Sequence, residues 1–175
     1  LNLGCGPTKV KGFINIDSDA EHKPDKVLIL GKDKLPFETE TVSEVWCNHT
    51  LEHIEKHRHD DIFIEIHRVC KFDAHVYLSF PDVYECAKRF KENHKGDRDF
   101  WEKTIYGRVR SKWDRHVCAI DRALLAAHLE TLGFYIKYCG IESEIEPYNS
   151  LIVAIKLSAI MTRESVFKRE IFDAR

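Results

Sequence analysis

Leu1-Asn2-Leu3-Gly4-Cys5-Gly6 opens the chain, and Phe13-Ile14-Asn15-Ile16-Asp17 follows after a short spacer. The first is an apolar strand running into a glycine turn. The second is an apolar strand ending on a carboxylate. In α/β sheets that order holds a nucleoside: the glycines let backbone approach the ligand, and the acid at the end of the next strand takes the two ribose hydroxyls. Gly4 and Gly6 remove side chains where the chain must turn and a ligand must come close. An unpaired acid at Asp17, at the end of a buried strand, would be costly, and a ribose diol would satisfy it through charge-assisted hydrogen bonds.

Working outward, Lys26–Leu30 reads as a third strand, Val45–Cys47 lies in a fourth, and Val76–Phe80 forms a fifth closed by Pro81. Near-continuous apolar runs of this length suit a parallel sheet buried on both faces. Tyr135–Tyr138 and Leu151–Leu157 are two late strands. The turn formers Glu146-Pro147-Tyr148-Asn149 between them predict an antiparallel pair. Leu51–His57 reads as a short helix, and Asp60 as the cap of the next, with Phe63, Ile66 and Cys70 on its apolar face. Asp121 caps another helix, with Leu124, Leu125, Leu129 and Leu132 inward and Gly133 as its stop. Ile160–Phe172 reads as a final amphipathic helix. Too few residues separate Gly6 from the second strand for a full crossover helix. Either that crossover is cut to a turn, or the two strands are not simple neighbours.

A chain of 175 residues, 43% hydrophobic and 32% charged, is expected to form one domain over 1–175 with a soluble globular composition. A net charge of −2 exerts no general pull toward nucleic acid or an anionic membrane. No apolar run approaches a membrane span and no signal peptide is visible, although the chain opens directly on a strand and further residues can precede Leu1. Cys5, Cys47, Cys70, Cys86, Cys118 and Cys139 form no Cys-x-x-Cys pair. They read as free, buried thiols in a reducing, cytoplasmic setting.

Five segments, in register, resemble the class I S-adenosylmethionine-dependent methyltransferases of the small type-11-like group. Leu1-Asn2-Leu3-Gly4-Cys5-Gly6 resembles the glycine motif under the cofactor's methionine portion, and Ile16-Asp17 the acid that binds ribose. Leu35-Pro36-Phe37 resembles the approach to the fourth strand, and Cys47-Asn48-His49-Thr50-Leu51-Glu52-His53-Ile54 the stretch after it that lines the cofactor. Arg68-Val69-Cys70-Lys71 with Val76–Pro81 resembles the helix, turn and strand that follow. The resemblance implies a Rossmann-like three-layer α/β sandwich, a mostly parallel seven-stranded sheet with an antiparallel edge strand, and S-adenosylmethionine as cofactor. It implies cofactor contacts at Gly4, Cys5, Gly6, Asp17, Asn48 and His49, with the adenine near Gly31 or Asp33. The sequence departs from the family pattern at Asn2, at Thr8, in Leu30-Gly31-Lys32-Asp33 and in Lys71-Phe72-Asp73-Ala74. These departures motivate an alternative, a methyltransferase-fold binding domain that is catalytically weak or inactive.

His49-Thr50-Leu51-Glu52-His53 also matches the H-x-x-E-H pattern of inverted zinc peptidases. On a helix, His49 and His53 would share a face with His57 one turn on, but a third protein ligand would be needed and spacing identifies none. A zinc hydrolase is therefore a lesser alternative, and no metal ligand is assigned. The segment 82–118 has no counterpart in a bare nucleotide fold, is rich in aromatics and charge, and reads as an insertion covering the substrate. Within it, Arg108, Arg110, Lys112 and Arg115 with Trp113 and His116 could grip a phosphate, a sugar nucleotide or a nucleic acid strand. Asp82 and His116 are the candidates for orienting the acceptor or removing its proton. The acceptor expected is a small molecule or glycan, with no membrane and no nucleic acid as partner.

Overall fold

The computed structural model describes residues 1–92, 98–108 and 113–157. Its frame is a seven-stranded sheet: β1 (Asn2–Leu3), β2 (Asn15–Asp17), β3 (Lys26–Val27), β4 (Val42–Asn48), β5 (Cys70–Pro81), β6 (Phe134–Ile141) and β7 (Asn149–Lys156). The spatial order is β3-β2-β1-β4-β5-β7-β6. The pairings from β3 to β5 are parallel, and β7 runs antiparallel to both β5 and β6. The expected mostly parallel, Rossmann-like α/β sheet is therefore what forms, with the antiparallel strand one place in from the edge.

β1 and β2 pair directly, Asn2 with Asn15 and Leu3 with Ile16, and no helix joins them. The first crossover is thus cut to an irregular loop. Asn15 fixes that loop. Its Oδ1 accepts from Asn2 Nδ2 at 3.0 Å and from the Val10 N–H at 2.8 Å, and its Nδ2 donates to Asp25 Oδ2 at 3.0 Å. A buried amide satisfied on both ends is a stable way to hold backbone that has no regular partner.

α1 (His59–Val69) and α4 (Arg122–Thr131) cover one face of the sheet. Ile62, Phe63, Ile66 and Val69 of α1, with Leu125 and Leu129 of α4, pack on Val45, Cys47, Val76, Leu78, Ile152 and Ala154. An Asp60–His128 contact at 2.7 Å joins the two helices. The opposite face carries an aromatic row: Phe13 against Trp46 at 5.1 Å, and Trp46 against Tyr77 at 5.9 Å between centroids. α2 (Val83–Lys91) and α3 (Arg98–Tyr106) add a small second cluster of Cys86, Trp101 and Tyr148.

Three local expectations change. The helix predicted over Leu51–His57 breaks into two 3-10 turns, Leu51–His53 and Lys56–Arg58, because Ile54 between them is extended. Asp60 does not cap α1; the helix starts one residue earlier, so Asp60 lies in the first turn and favours the helix dipole instead. Leu124 is 66% exposed rather than inward, because Asp121 caps α4 so that Leu125 and Leu129 take the core face. All six thiols are free, and Cys139 is exposed. The predicted helix Ile160–Phe172, with Arg110 and Lys112, lies outside the described residues. Among the described residues, no helix is long and apolar enough to cross a membrane.

Candidate cofactor cradle and adjoining cavity

The carboxyl ends of β1, β2 and β4 meet at the glycine turn. Gly4 and Gly6 both have positive φ, +66° and +53°, but they serve different purposes. A Cβ on Gly4 would lie 2.2 Å from Thr50 Oγ1, so that glycine makes room for protein. Thr50 uses the space to approach the carbonyls of Leu3 at 3.1 Å and Asn48 at 3.0 Å, tying the end of β1 to the end of β4. A Cβ on Gly6 would meet nothing within 4 Å. Gly6 is where backbone faces open space, as a bound ligand requires.

Asp17 lies beside Gly6. Gly6 donates its N–H to Asp17 Oδ2 at 2.7 Å, and the Asp19 N–H donates to Oδ1 at 2.8 Å. The residue is 8% exposed, and His22 Nδ1 stands 3.5 Å from Oδ1. An ionised carboxylate has about four acceptor positions, so two backbone donors leave room for a diol. Cys5, between the glycines, is buried, and burial pushes its thiol pKa up.

At the end of β4, the Ser79 hydroxyl donates to Asn48 Oδ1 at 3.2 Å, and the His49 N–H donates to the Ser79 carbonyl at 2.8 Å. His49 adopts φ +48°. Its ring stands between two carboxylates, with Nδ1 3.4 Å from Glu52 Oε1 and Nε2 3.7 Å from Glu142 Oε2. Burial lowers the imidazole pKa, but the carboxylates of Glu142 and Glu52 outweigh it and raise the value to about 10. His49 is therefore cationic at neutral pH.

Glu52 begins a second space. A cavity of about 310 Å³ is bounded by Glu52, by Val83 and Cys86 of α2, by Thr104 and Tyr106 of α3, and by His116. Its wall over residues 115–118 is stitched onto the turn at 51–54. The Val117 N–H donates to the Glu52 carbonyl at 2.8 Å, His53 Nδ1 lies 3.1 Å from the Arg115 carbonyl, and the Cys118 thiol reaches the Ile54 carbonyl at 3.4 Å. Burial holds the His116 imidazole below its ordinary pKa. Thr50 packs on Gly4 and Glu52 lines the cavity, so one turn of chain joins cradle and cavity.

The other sequence candidates have partners of their own. Asp82 is 1% exposed and does not line the cavity. Its Oδ1 accepts from the N–H groups of Tyr84 and Glu85, and its Oδ2 accepts from that of Arg122. Three backbone donors engage the carboxylate, which gives it a structural task at the starts of two helices. Asp33 Oδ2 accepts the Ile29 N–H at 2.8 Å within its own exposed turn. Gly31 packs beneath Arg58, whose carbonyl oxygen would lie 2.7 Å from a Cβ there. Arg108 and Arg115 are exposed, which leaves them on the surface of the insertion. Sequence reasoning did not anticipate that Glu52 lines the cavity or that Glu142 stands against His49. Only the Leu-Glu-His run hinted at the first, and nothing local marked the second.

A family model described as a methyltransferase domain matches residues 11–78. No curated protein matches the chain. Solved structures share its fold at low identity. An S-adenosylmethionine-dependent methyltransferase from Methanosarcina mazei has a TM-score of 0.63 and 18% identity, covering 89% of this chain and 91% of that one. One from Archaeoglobus fulgidus gives 0.59 and 16%, over 89% and 84%. One from Mesorhizobium loti gives 0.60 and 14%, over 89% of each chain. The resemblance read from the sequence is thereby borne out: the chain has the class I S-adenosylmethionine-dependent methyltransferase fold, and the family model matches from the loop before β2 into β5. The same findings support S-adenosylmethionine as the cofactor.

Proposed function

We propose that the chain transfers the methyl group of S-adenosylmethionine to a small-molecule or glycan acceptor held in the 310 Å³ cavity. The observation that supports this reading is the Gly6–Asp17 hydrogen bond, which sets the open glycine beside the strand-end acid. In this reading Asp17 and the Gly4-Cys5-Gly6 turn take the ribose and the methionine tail. Asn48 and His49 line the methionine end, and the turn holding Gly31 and Asp33 borders the adenine. The segment 82–118 covers the acceptor.

The chemistry asks little of the protein's side chains. When bound, the cofactor supplies an activated methyl on a cationic sulfur, so the chain has chiefly to align the acceptor and exclude water. Apolar walls from α2 and α3 serve exclusion. His116 is the side chain assigned to acceptor orientation, since it reaches the cavity and Asp82 does not. A general base is needed only for acceptors of high pKa.

Calorimetry with S-adenosylmethionine tests the reading. Saturable one-to-one binding, and transfer of a labelled methyl group to an acceptor from a panel of small molecules and glycans, are the expected results. Absence of heat at millimolar cofactor contradicts the reading and favours a binding domain that retains the fold without the cofactor.

A further inference from the structure

Glu52 is a buried acid without a hydrogen bond. It is 2% exposed, and neither carboxylate oxygen has a hydrogen-bond partner. Among the described residues its one ion pair is with His49, at 3.4 Å. The His49 cation meets one oxygen without a hydrogen bond, which leaves the carboxylate with acceptor capacity that is costly to bury unfilled. Two further imidazoles stand beside it. The rings of His53 and His116 lie 4.8 Å apart, edge to face, and a ligand atom from each of Glu52, His53 and His116 falls within 4.8 Å of the others.

We propose that Glu52, His53 and His116 form a divalent-cation site of the zinc type, opening on the cavity. His53 already has one ring nitrogen on a backbone carbonyl, Nδ1 on that of Arg115 at 3.1 Å. That contact orients the ring and leaves Nε2 as the lone-pair donor, as metal-bound histidines require. Two nitrogens and one carboxylate oxygen suit zinc and leave a fourth tetrahedral position open; calcium and magnesium prefer sets of oxygens alone. A tetrahedral edge is about 3.3 Å for such ligands, so binding a metal draws the three ligand atoms together by at most about 1.5 Å.

Residues 52–53 and 116 are far apart in sequence, and the Val117–Glu52 backbone bond brings them together. The set differs from the one the H-x-x-E-H spacing suggests: His116 takes the place of His49, which is not among the three and stands between Glu52 and Glu142. The open position faces the cavity, so an oxygen of the acceptor would complete the coordination. That last assignment rests on the proposed methyl transfer, whereas the cation site does not.

The test is zinc titrated calorimetrically into the purified chain without S-adenosylmethionine, with the cofactor titration run separately on the same preparations. One equivalent of zinc should bind at micromolar or tighter dissociation constant, and at least roughly a hundredfold more weakly in Glu52→Gln and in His116→Ala. His57→Ala, at an exposed histidine off the triad, should bind like the wild type. His53→Ala stands in for either variant that a melting curve shows to be unfolded. No zinc binding by the wild type, or wild-type affinity in a folded triad variant, overturns the site. Zinc binding without cofactor binding keeps the site and removes the methyl-transfer reading; the reverse does the opposite.

Discussion

Asp82 accepts the Arg122 backbone N–H on Oδ2 at 2.9 Å while its Oδ1 caps α2, so one carboxylate holds the starts of two helices. Asp121, one residue before Arg122, caps α4 in the ordinary way through the N–H groups of Ala123 and Leu124. The end of β5 is thereby locked to the helix that packs on β6.

A structural role for Asp82 has a distinct signature. Asp82→Ala removes a helix cap and leaves the Arg122 N–H without its acceptor, and should cost about 2–4 kcal/mol of stability. Asp82→Asn keeps one accepting oxygen and should cost less. Chemical denaturation of both variants measures this. A catalytic role would show the opposite pattern, with unchanged stability and lost methyl transfer in Asp82→Asn.

The two glycines of the cradle should respond differently. Gly4→Ala drives a methyl into Thr50 at a positive φ, and should destabilise by about 2–4 kcal/mol. Gly6→Ala meets open space and carries only the left-handed strain, about 1 kcal/mol, but its methyl enters the ligand's hollow. Denaturant melts paired with cofactor calorimetry separate the two effects. Equal stability losses with equal affinities would show that Gly6 does not face the ligand.

His59 makes stability depend on pH. It is buried, its Nε2 lies 3.0 Å from the carbonyls of Leu51 and Ile54, and burial lowers its pKa below 6.5. The unfolded chain therefore binds more protons at this site as pH falls through 6.5. Stability from His59 is complete above that value and declines below it. His49 acts in the other sense, because its folded pKa of about 10 gives stability that is complete below 6.5 and lost as pH rises toward 10. Comparing His59→Gln with the wild type isolates the first effect, since His49 is common to both. Between about pH 6.5 and 5.5 the wild type should lose more stability than the variant; parallel curves would contradict the assignment.

Much of this architecture was legible because burial writes itself into composition. Seven strands show as apolar runs, and Asp121 and Gly133 mark the ends of α4 by cap chemistry that is local. The 48–58 segment was less legible. Its residues have helical propensity, but Ile54 is drawn into an extended conformation as Cys118 and His59 bond to the Ile54 carbonyl. Asp82 was ambiguous because a cap and a catalytic acid look alike at a strand's carboxyl end. The second partner that distinguishes them, Arg122, is forty positions away. The meeting of Glu52 with His116, and of His49 with Glu142, depends in the same way on tertiary contacts with no local trace.

The most direct measurement is S-adenosylmethionine affinity in the wild type and in Asp17→Ala, by calorimetry at neutral pH. The account predicts saturable binding that weakens at least roughly tenfold in the variant, because one charge-assisted bond to the ribose is worth about that much. Equal affinity in the two proteins would mean that Asp17 holds only Gly6 and Asp19, and the nucleoside cradle would be placed wrongly.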